Sequence, residues 1–286
     1  MSRLHSRIDT RGVRKETDSD TRSLMERFRS SGLPEYWRAN DADKHVQLFD
    51  VPNSSAEYKE VYDILARDAF VTKYEIRRLQ RIQNPALWAG YRAYRESKNE
   101  PNEIWAVHGS VLDSLDNISA NGFNRSYNGK NATVYGKGAY FAKTGNFTYS
   151  CSSRYAAPNT DGTQSMILAR VVQGKSTLGT PDILEPPYID AATKLRYDTT
   201  TDGSGLILVT YKDQQAYPAY LITFKSVDQI SSLLQQTRQH QQQQQQAGAA
   251  TRASNGSALT SKANTALHAA PASTGAAAGV KRCEAR

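Results

Sequence analysis

Cysteine is nearly absent. Cys151 and Cys283 are the only two in 286 residues, too few and too far apart for a disulfide framework or a zinc ligand set. The chain therefore reads as a protein of a reducing compartment, intracellular in nucleus or cytoplasm, with no metal. No apolar run approaches the length of a membrane span, and the opening MSRLHSRIDT lacks the apolar segment of a signal peptide, so no membrane partner is expected. The ending Cys283-Glu284-Ala285-Arg286 is not a prenylation box, because Glu284 is not aliphatic and Arg286 is unsuited to the last position. No GxGxxG joins a strand to a helix with a later acid, which excludes a Rossmann site and a nucleotide acting as hydride carrier.

Acidic residues are scarce at one end. From Gln235 to Arg286 six Lys or Arg stand against the single Glu284, so this tail carries five of the eight net positive charges. The rest is only weakly basic and has no dense basic stripe with interleaved aromatics, so a nucleic-acid partner is not expected. The tail holds six consecutive glutamines after His240, then mostly Ala, Ser, Thr, Gly and Asn. Such a composition cannot bury enough apolar surface to offset its ordering entropy. Residues 235–286 are expected to be disordered, or transiently helical in the Gln/Ala part. Residues 1–30 are charged, rich in Ser and Thr and without apolar period, and read as a flexible leader. Residues 31–234 remain for one substantial core.

Within that part the apolar spacing of Tyr58, Val61, Ile64 and Leu65 predicts an amphipathic helix over Glu57 to Phe70. Asn84-Pro85 is a helix-start signal, followed by Leu87, Trp88, Tyr91 and Tyr94 at helical spacing, aromatics better suited to a core than to a ligand platform. Val111 to Asn121 reads as a helix stopped by Gly122. Ser165 to Val172 and Leu206 to Tyr211 are continuous apolar, β-branched runs of buried-strand type, Tyr220 to Phe224 is a further strand, and Val227 to Leu234 a last short helix. Tyr74 to Ile82 has helical spacing on its face.

The most unusual local chemistry lies between Trp105 and Tyr155. An apolar run from Ile104 to Val107 ends abruptly at His108-Gly109-Ser110, as when a buried strand delivers a polar group and accessible backbone to a cleft. Gly109 has no Cβ, so a ligand can approach the main chain there. After a polar loop from Asn124 to Val134, read as a flap over a ligand, Tyr135-Gly136-Lys137-Gly138 predicts a turn, and Ala139-Tyr140-Phe141-Ala142 a short aromatic strand with Tyr140 near its start. Tyr149-Ser150 and Tyr155 follow.

At HGS, GFNRSYNGKNATVYGKGAYFA and QAYPAYLITF the chain resembles the catalytic domain of the poly(ADP-ribose) polymerase-like ADP-ribosyltransferases. It is most similar to the mono-ADP-ribosylating members that often accompany macro or WWE domains. The resemblance spans roughly Leu33 to Lys225, with weaker matches at LPEYW, AEYKEVYDIL and RIQNPALW. It implies an α+β fold, two packed antiparallel β-sheets with flanking helices, and makes Tyr74 to Ile82 a strand. It implies NAD as substrate in an extended cleft, release of nicotinamide, and acceptor proteins as partners, the chain itself among them. His108, by default a core histidine, would hydrogen-bond an NAD ribose hydroxyl. Gly109 would present N–H and C=O to the nicotinamide carboxamide, and Ser110 would contact the adenosine ribose. Tyr140 and Tyr155 would enclose the cationic nicotinamide, gaining stacking and cation–π attraction. Ser150 would fix the carboxamide, and Gly122 and Asn124 complete the residues expected to face NAD. The interval from Tyr140 to Tyr155 is about two residues longer than in close relatives, which leaves Tyr149 as an alternative to Tyr155.

At the third catalytic position the alignment places Ile207, where chain-elongating members carry glutamate. Asp202 and Asp213 flank the strand out of register. Without that carboxylate nothing polarises an acceptor ribose hydroxyl, so polymer growth should fail and transfer of a single ADP-ribose remains. The expectation is a protein mono-ADP-ribosyltransferase. The alternative is a catalytically silent NAD-binding or scaffold module of the same fold, and a nucleic-acid-activated polymerase is weakest.

Overall fold

A computed structural model describes residues 32–38, 41, 44–124, 133–152 and 154–265, with side chains as far as residue 246 and without that of Tyr149. Residues 1–30, expected as a leader, residues 125–132 of the expected flap and residues 266–286 of the expected tail lie outside the described residues.

The architecture is α+β. In chain order the elements are β1 (Gln47–Asp50), α1 (Ala56–Leu65), α2 (Phe70–Lys73), β2 (Tyr74–Gln83), α3 (Pro85–Glu96), β3 (Glu103–Gly109), α4 (Leu112–Asn121), β4 (Ala139–Lys143) and α5 (Phe147–Ser150). There follow β5 (Gln164–Val172), β6 (Ser176–Leu178), β7 (Tyr188–Asp190), β8 (Leu195–Arg196), β9 (Thr199–Thr201), β10 (Ile207–Thr210), β11 (Ala216–Ser226) and α6 (Val227–Thr265).

The expected pair of packed sheets is corrected. Nine strands are hydrogen-bonded into one sheet, in the order β1-β2-β11-β5-β3-β4-β10-β9-β6, and β7 and β8 pair separately. The physical reason is β3, which bonds on both of its edges. It pairs with β5 along its whole length and with β4 at Ala106 and Val107 alone, so a narrow junction joins the two halves. One pairing, β6 with β9, is parallel.

The core follows the period of the strands. On β5, Met166, Leu168 and Val172 point into one buried cluster, and Ile167, Ala169 and Val171 into another. Alternate residues thus face opposite sides of a sheet covered on both, which is why this strand reads as an unbroken apolar run. Val61 and Leu65 of α1, Phe70 of α2 and Tyr91 of α3 cover one side, and Leu115 of α4 belongs to the other. Trp88 packs edge-on against Tyr217 at 5.2 Å between ring centres, so the aromatics of α3 serve the core. Tyr74–Gln83 is a strand despite its helical spacing, because it lies between β1 and β11 and pairing decides its conformation.

The strand at Tyr220 to Phe224 is longer than expected and runs through Pro218. That proline is tolerated because the pairing with β5 shifts register between Pro218 and Tyr220, and pairing with β2 begins only at Tyr220. Gly122 ends α4 with φ of 79° and donates its N–H to Ile118.

Asn84 does more than cap α3. Its Oδ1 accepts the N–H of Leu87 at 3.2 Å, while Nδ2 donates to the carbonyls of Ser119 and Ala120 at 3.2 and 2.8 Å near the end of α4. Removing this buried amide takes away a cap and leaves two carbonyls short of a donor. Asn84→Ala should therefore cost about 2–3 kcal/mol, read as a lower urea midpoint at unchanged slope.

The first unit extends to Asp228, and a second starts at Gln229. The last helix differs from its expected bounds. The helix that was to stop at Leu234 continues to Thr265, through the glutamine tract. Gln and Ala lose little side-chain freedom in a helix and no proline interrupts the segment, so local propensity sustains it.

Candidate active site

A cavity of about 590 Å³ opens where β3, β4, β10 and α4 meet. All nine expected site residues line it: His108, Gly109, Ser110, Gly122, Asn124, Tyr140, Ser150, Tyr155 and Ile207. The side chain of Tyr149, the alternative to Tyr155, lies outside the described residues.

His108 is the penultimate residue of β3, and Tyr140 the second of the neighbouring β4. The His108 Nδ1 lies 2.8 Å from the carbonyl oxygen of Tyr140. A carbonyl only accepts, so Nδ1 carries the proton and the neutral ring keeps Nε2 as an acceptor. Burial holds the imidazole below its ordinary pKa, with the bond to Tyr140 opposing it. Phe123 meets the ring edge-on at 5.5 Å, and Phe141 lies 5.9 Å away.

Tyr140 is fixed at its far end. Its hydroxyl donates to the carbonyl of Gly136 at 2.8 Å and accepts the N–H of Tyr135 at 2.9 Å. The turn before β4 thereby grips the phenol, leaving the ring itself to line the cavity. Tyr155 carries the Arg154 guanidinium 5.8 Å from its ring centre.

Gly109 has a reason beyond ligand approach. A Cβ there would collide with the carbonyl of Ser150. Glycine lets the end of β3 press against the last residue of α5, which brings Ser150 to the same wall as His108.

Ile207 opens β10, opposite Ala142 of β4, and is half-buried. The nearby Asp202 does not substitute for a missing carboxylate. Its Oδ1 accepts the N–H groups of Gly205, Leu206 and Ile207 at 2.9, 3.2 and 3.3 Å, and its Oδ2 accepts the Ser204 hydroxyl at 2.6 Å. Burial would raise its pKa, but these donors hold it below the usual value. Asp213 begins a 3₁₀ turn beyond the other end of β10.

Several lining residues escaped the sequence reading: Asp113, Ser114, Asn117, Tyr135 and Arg154. Among the described residues Asp113 is the only carboxylate in the lining and Arg154 the only cation. A signal for the first three was present. Ser110, Asp113, Ser114 and Asn117 fall at helical spacing, so a polar stripe on α4 continues the His108-Gly109-Ser110 wall. Arg154 had none.

The family model for the poly(ADP-ribose) polymerase catalytic domain matches residues 55–204, more than half of the chain and every expected site residue except Ile207. The chain belongs to this family. It is similar to the protein mono-ADP-ribosyltransferase PARP14 of Homo sapiens, with 32% identity over 77% of this chain and 12% of that protein. It is similar to the protein mono-ADP-ribosyltransferase PARP10 of Mus musculus, with 34% identity over 61% of this chain and 19% of the relative. PARP11 of Mus musculus, also named a protein mono-ADP-ribosyltransferase, is 29% identical over 67% of this chain and 64% of its own length. The chain thus spans less than two thirds of each of these relatives. No helix among the described residues is long and apolar enough to cross a membrane, and no group of three metal-ligating side chains occurs among them.

Proposed function

We propose that this protein is an NAD-dependent protein mono-ADP-ribosyltransferase, moving one ADP-ribose from NAD to a protein side chain and releasing nicotinamide. The observation that carries it is the convergence of His108, Tyr140, Ser150 and Tyr155 on one cavity whose third catalytic position is the apolar Ile207. The Nε2 of His108, an acceptor in the neutral tautomer, suits a ribose hydroxyl. The rings of Tyr140 and Tyr155 suit the flat, cationic nicotinamide. Gly109 supplies backbone polar groups and Ser150 a hydroxyl for the carboxamide, Ser110 suits the adenosine ribose, and Gly122 and Asn124 line the same cavity.

When the bond between ribose and nicotinamide breaks, nicotinamide leaves with the bonding pair and becomes neutral, and positive charge develops on the sugar. An acceptor oxygen then closes a new bond at that carbon. A carboxylate acceptor brings an ionised oxygen and needs no base, which suits a site with Ile207 in place of a carboxylate. Acceptor Asp or Glu side chains, on other proteins or on this one, are the expected targets.

Incubation with labelled NAD and separation by gel tests this reading. A discrete labelled band supports mono-transfer. A high-molecular-weight smear refutes it in favour of a polymerase, and no label with intact NAD binding refutes it in favour of a silent module.

Acidity gives a second check. The folded pKa of His108 lies below its unfolded value, so protonation favours the unfolded chain. Stability from this group is complete above about pH 6.5 and is lost as pH falls through the folded value. Affinity for ADP-ribose should be level from neutrality to about pH 6.5 and weaken only in more acid solution. Calorimetric titration across pH should find that acid limb in the wild type and not in His108→Ala.

A further inference from the structure

The structure assigns Thr200 and Tyr211, neither of which lines the cavity, the role of positioning residues for the ring of Tyr140. Both are buried, on β9 and immediately after β10. The Thr200 hydroxyl donates to the carbonyl of Tyr135 at 2.6 Å and lies 2.7 Å from the Tyr211 hydroxyl. A threonine hydroxyl has one proton, and Tyr135 takes it, so Tyr211 must be the donor to Thr200. Burial pushes the Tyr211 phenol up to about 12, against the opposing pull of Thr200, so its proton is present throughout the neutral range. The Tyr211 hydroxyl also reaches the Tyr135 carbonyl at 3.3 Å.

Tyr135 is thereby gripped at both polar groups of its backbone. Its carbonyl is held by the Thr200 hydroxyl, which the Tyr211 hydroxyl supports in turn, and its N–H is spent on the hydroxyl of Tyr140. Gly136 completes the clamp. Its φ of 126° is accessible to glycine alone among ordinary residues, its carbonyl takes the Tyr140 proton, and a Cβ on it would occupy the place of the Tyr211 hydroxyl. A chain of donors runs from Tyr211 through Thr200 to Tyr135, and the Tyr135 backbone connects it to Tyr140. Chains of this kind polarise and strengthen one another in a dry interior. The phenol of Tyr140 is thus located by the sheet through a turn that is also tied at the Lys137 N–H to the Ile183 carbonyl, at 2.8 Å. Ring orientation matters for the nicotinamide end of the substrate and little for the adenosine end.

This inference rests on the reading that Tyr140 stacks on nicotinamide, and its test separates the two. Thr200→Val and Tyr211→Phe remove one hydroxyl each at nearly unchanged volume, and Thr200→Ser keeps the hydroxyl. In the full-length protein, affinity for nicotinamide should fall about tenfold in Thr200→Val and Tyr211→Phe, the effect of one buried hydrogen bond. Affinity for ADP-ribose should stay within about twofold, and Thr200→Ser should behave as wild type. Hydrogen exchange at the Tyr135 amide, measured without ligand, should be slow in the wild type and about tenfold faster in Thr200→Val. Unchanged nicotinamide affinity in both folded variants overturns the assignment, as does a parallel loss of both ligands, the mark of a general structural role. Should the variants not fold, rapid exchange of the wild-type Tyr135 amide overturns it and slow exchange upholds the clamp. If the wild type binds neither ligand, the NAD reading fails, and the exchange data alone decide the positioning.

Discussion

Replacing His108 by alanine should lower nicotinamide release by about a hundredfold, some 3 kcal/mol of transition-state stabilisation, while leaving the protein folded. The two halves of this expectation have separate causes. The loss follows from the Nε2 acceptor, which is preorganised because Nδ1 is committed to the Tyr140 carbonyl and the ring is packed by Phe123 and Phe141. The survival of the fold follows from position. His108 is half-buried near the end of β3, and its backbone pairing with Ile167 of β5 does not depend on the side chain. A steady-state assay of nicotinamide release, paired with a thermal midpoint within a few degrees of wild type, checks both. Tyr140→Ala should lose as much activity with a larger fall in stability, because it also orphans the N–H of Tyr135 and the carbonyl of Gly136. Wild-type turnover in His108→Ala would remove the imidazole from the mechanism.

The reach of the sequence reading can be judged from particular elements. Asn84-Pro85 at a helix start, Gly122 at a helix end and the apolar run of β5 were legible because each depends on chemistry within a few residues. Pro218 and the strand around it were not. Their state depends on a register shift against β5, a partner about fifty residues earlier, and no local pattern encodes that. The single sheet was hidden for the same reason: two residue pairs between β3 and β4 join what the resemblance divides. The last helix, expected to end at Leu234, is longer for a different reason. The tract is too poor in apolar residues to form a core-facing stripe, but a helix with polar residues all round needs none in order to form.

At the site, the motif residues line one cavity, and what the sequence did not reveal lies between them. Gly109 was explained by ligand access, whereas the carbonyl of Ser150 stands where its Cβ would go. That contact spans forty residues of sequence and is invisible before folding. Thr200 and Tyr211 were equally unremarkable in sequence, a buried threonine and one of sixteen tyrosines. Their meaning arises only when β9 and β10 pair and turn both hydroxyls toward the Tyr135 carbonyl.

Ile207→Glu should give a protein that is less stable by about 1–3 kcal/mol and still transfers a single ADP-ribose. A carboxylate at this position would face the cavity, where positive charge develops on the sugar, and a well-placed group of that kind is worth several kcal/mol. Two features of the surroundings work against it. Ile207 is half-buried, so a charged replacement is partly desolvated. Its own N–H is bound by the carboxylate of Asp202, whose negative charge is already held in the ionised form by four donors of the same turn. A second carboxylate beside it raises the cost of ionising either one, so the new glutamate should have an elevated pKa and stay partly protonated near neutrality. A neutral glutamic acid neither polarises an acceptor hydroxyl nor stabilises a cationic sugar. The expected gain is therefore confined to a modest rise in NAD hydrolysis, growing with pH as the glutamate ionises. Asp202→Asn in the same background should relieve the repulsion and steepen that rise, although it weakens the turn that Asp202 caps. Intact mass and chain-length analysis of automodified protein decide the matter. Polymers from Ile207→Glu would show that the surroundings tolerate a catalytic carboxylate, and polymers from the wild type would show that Ile207 does not occupy the third catalytic position.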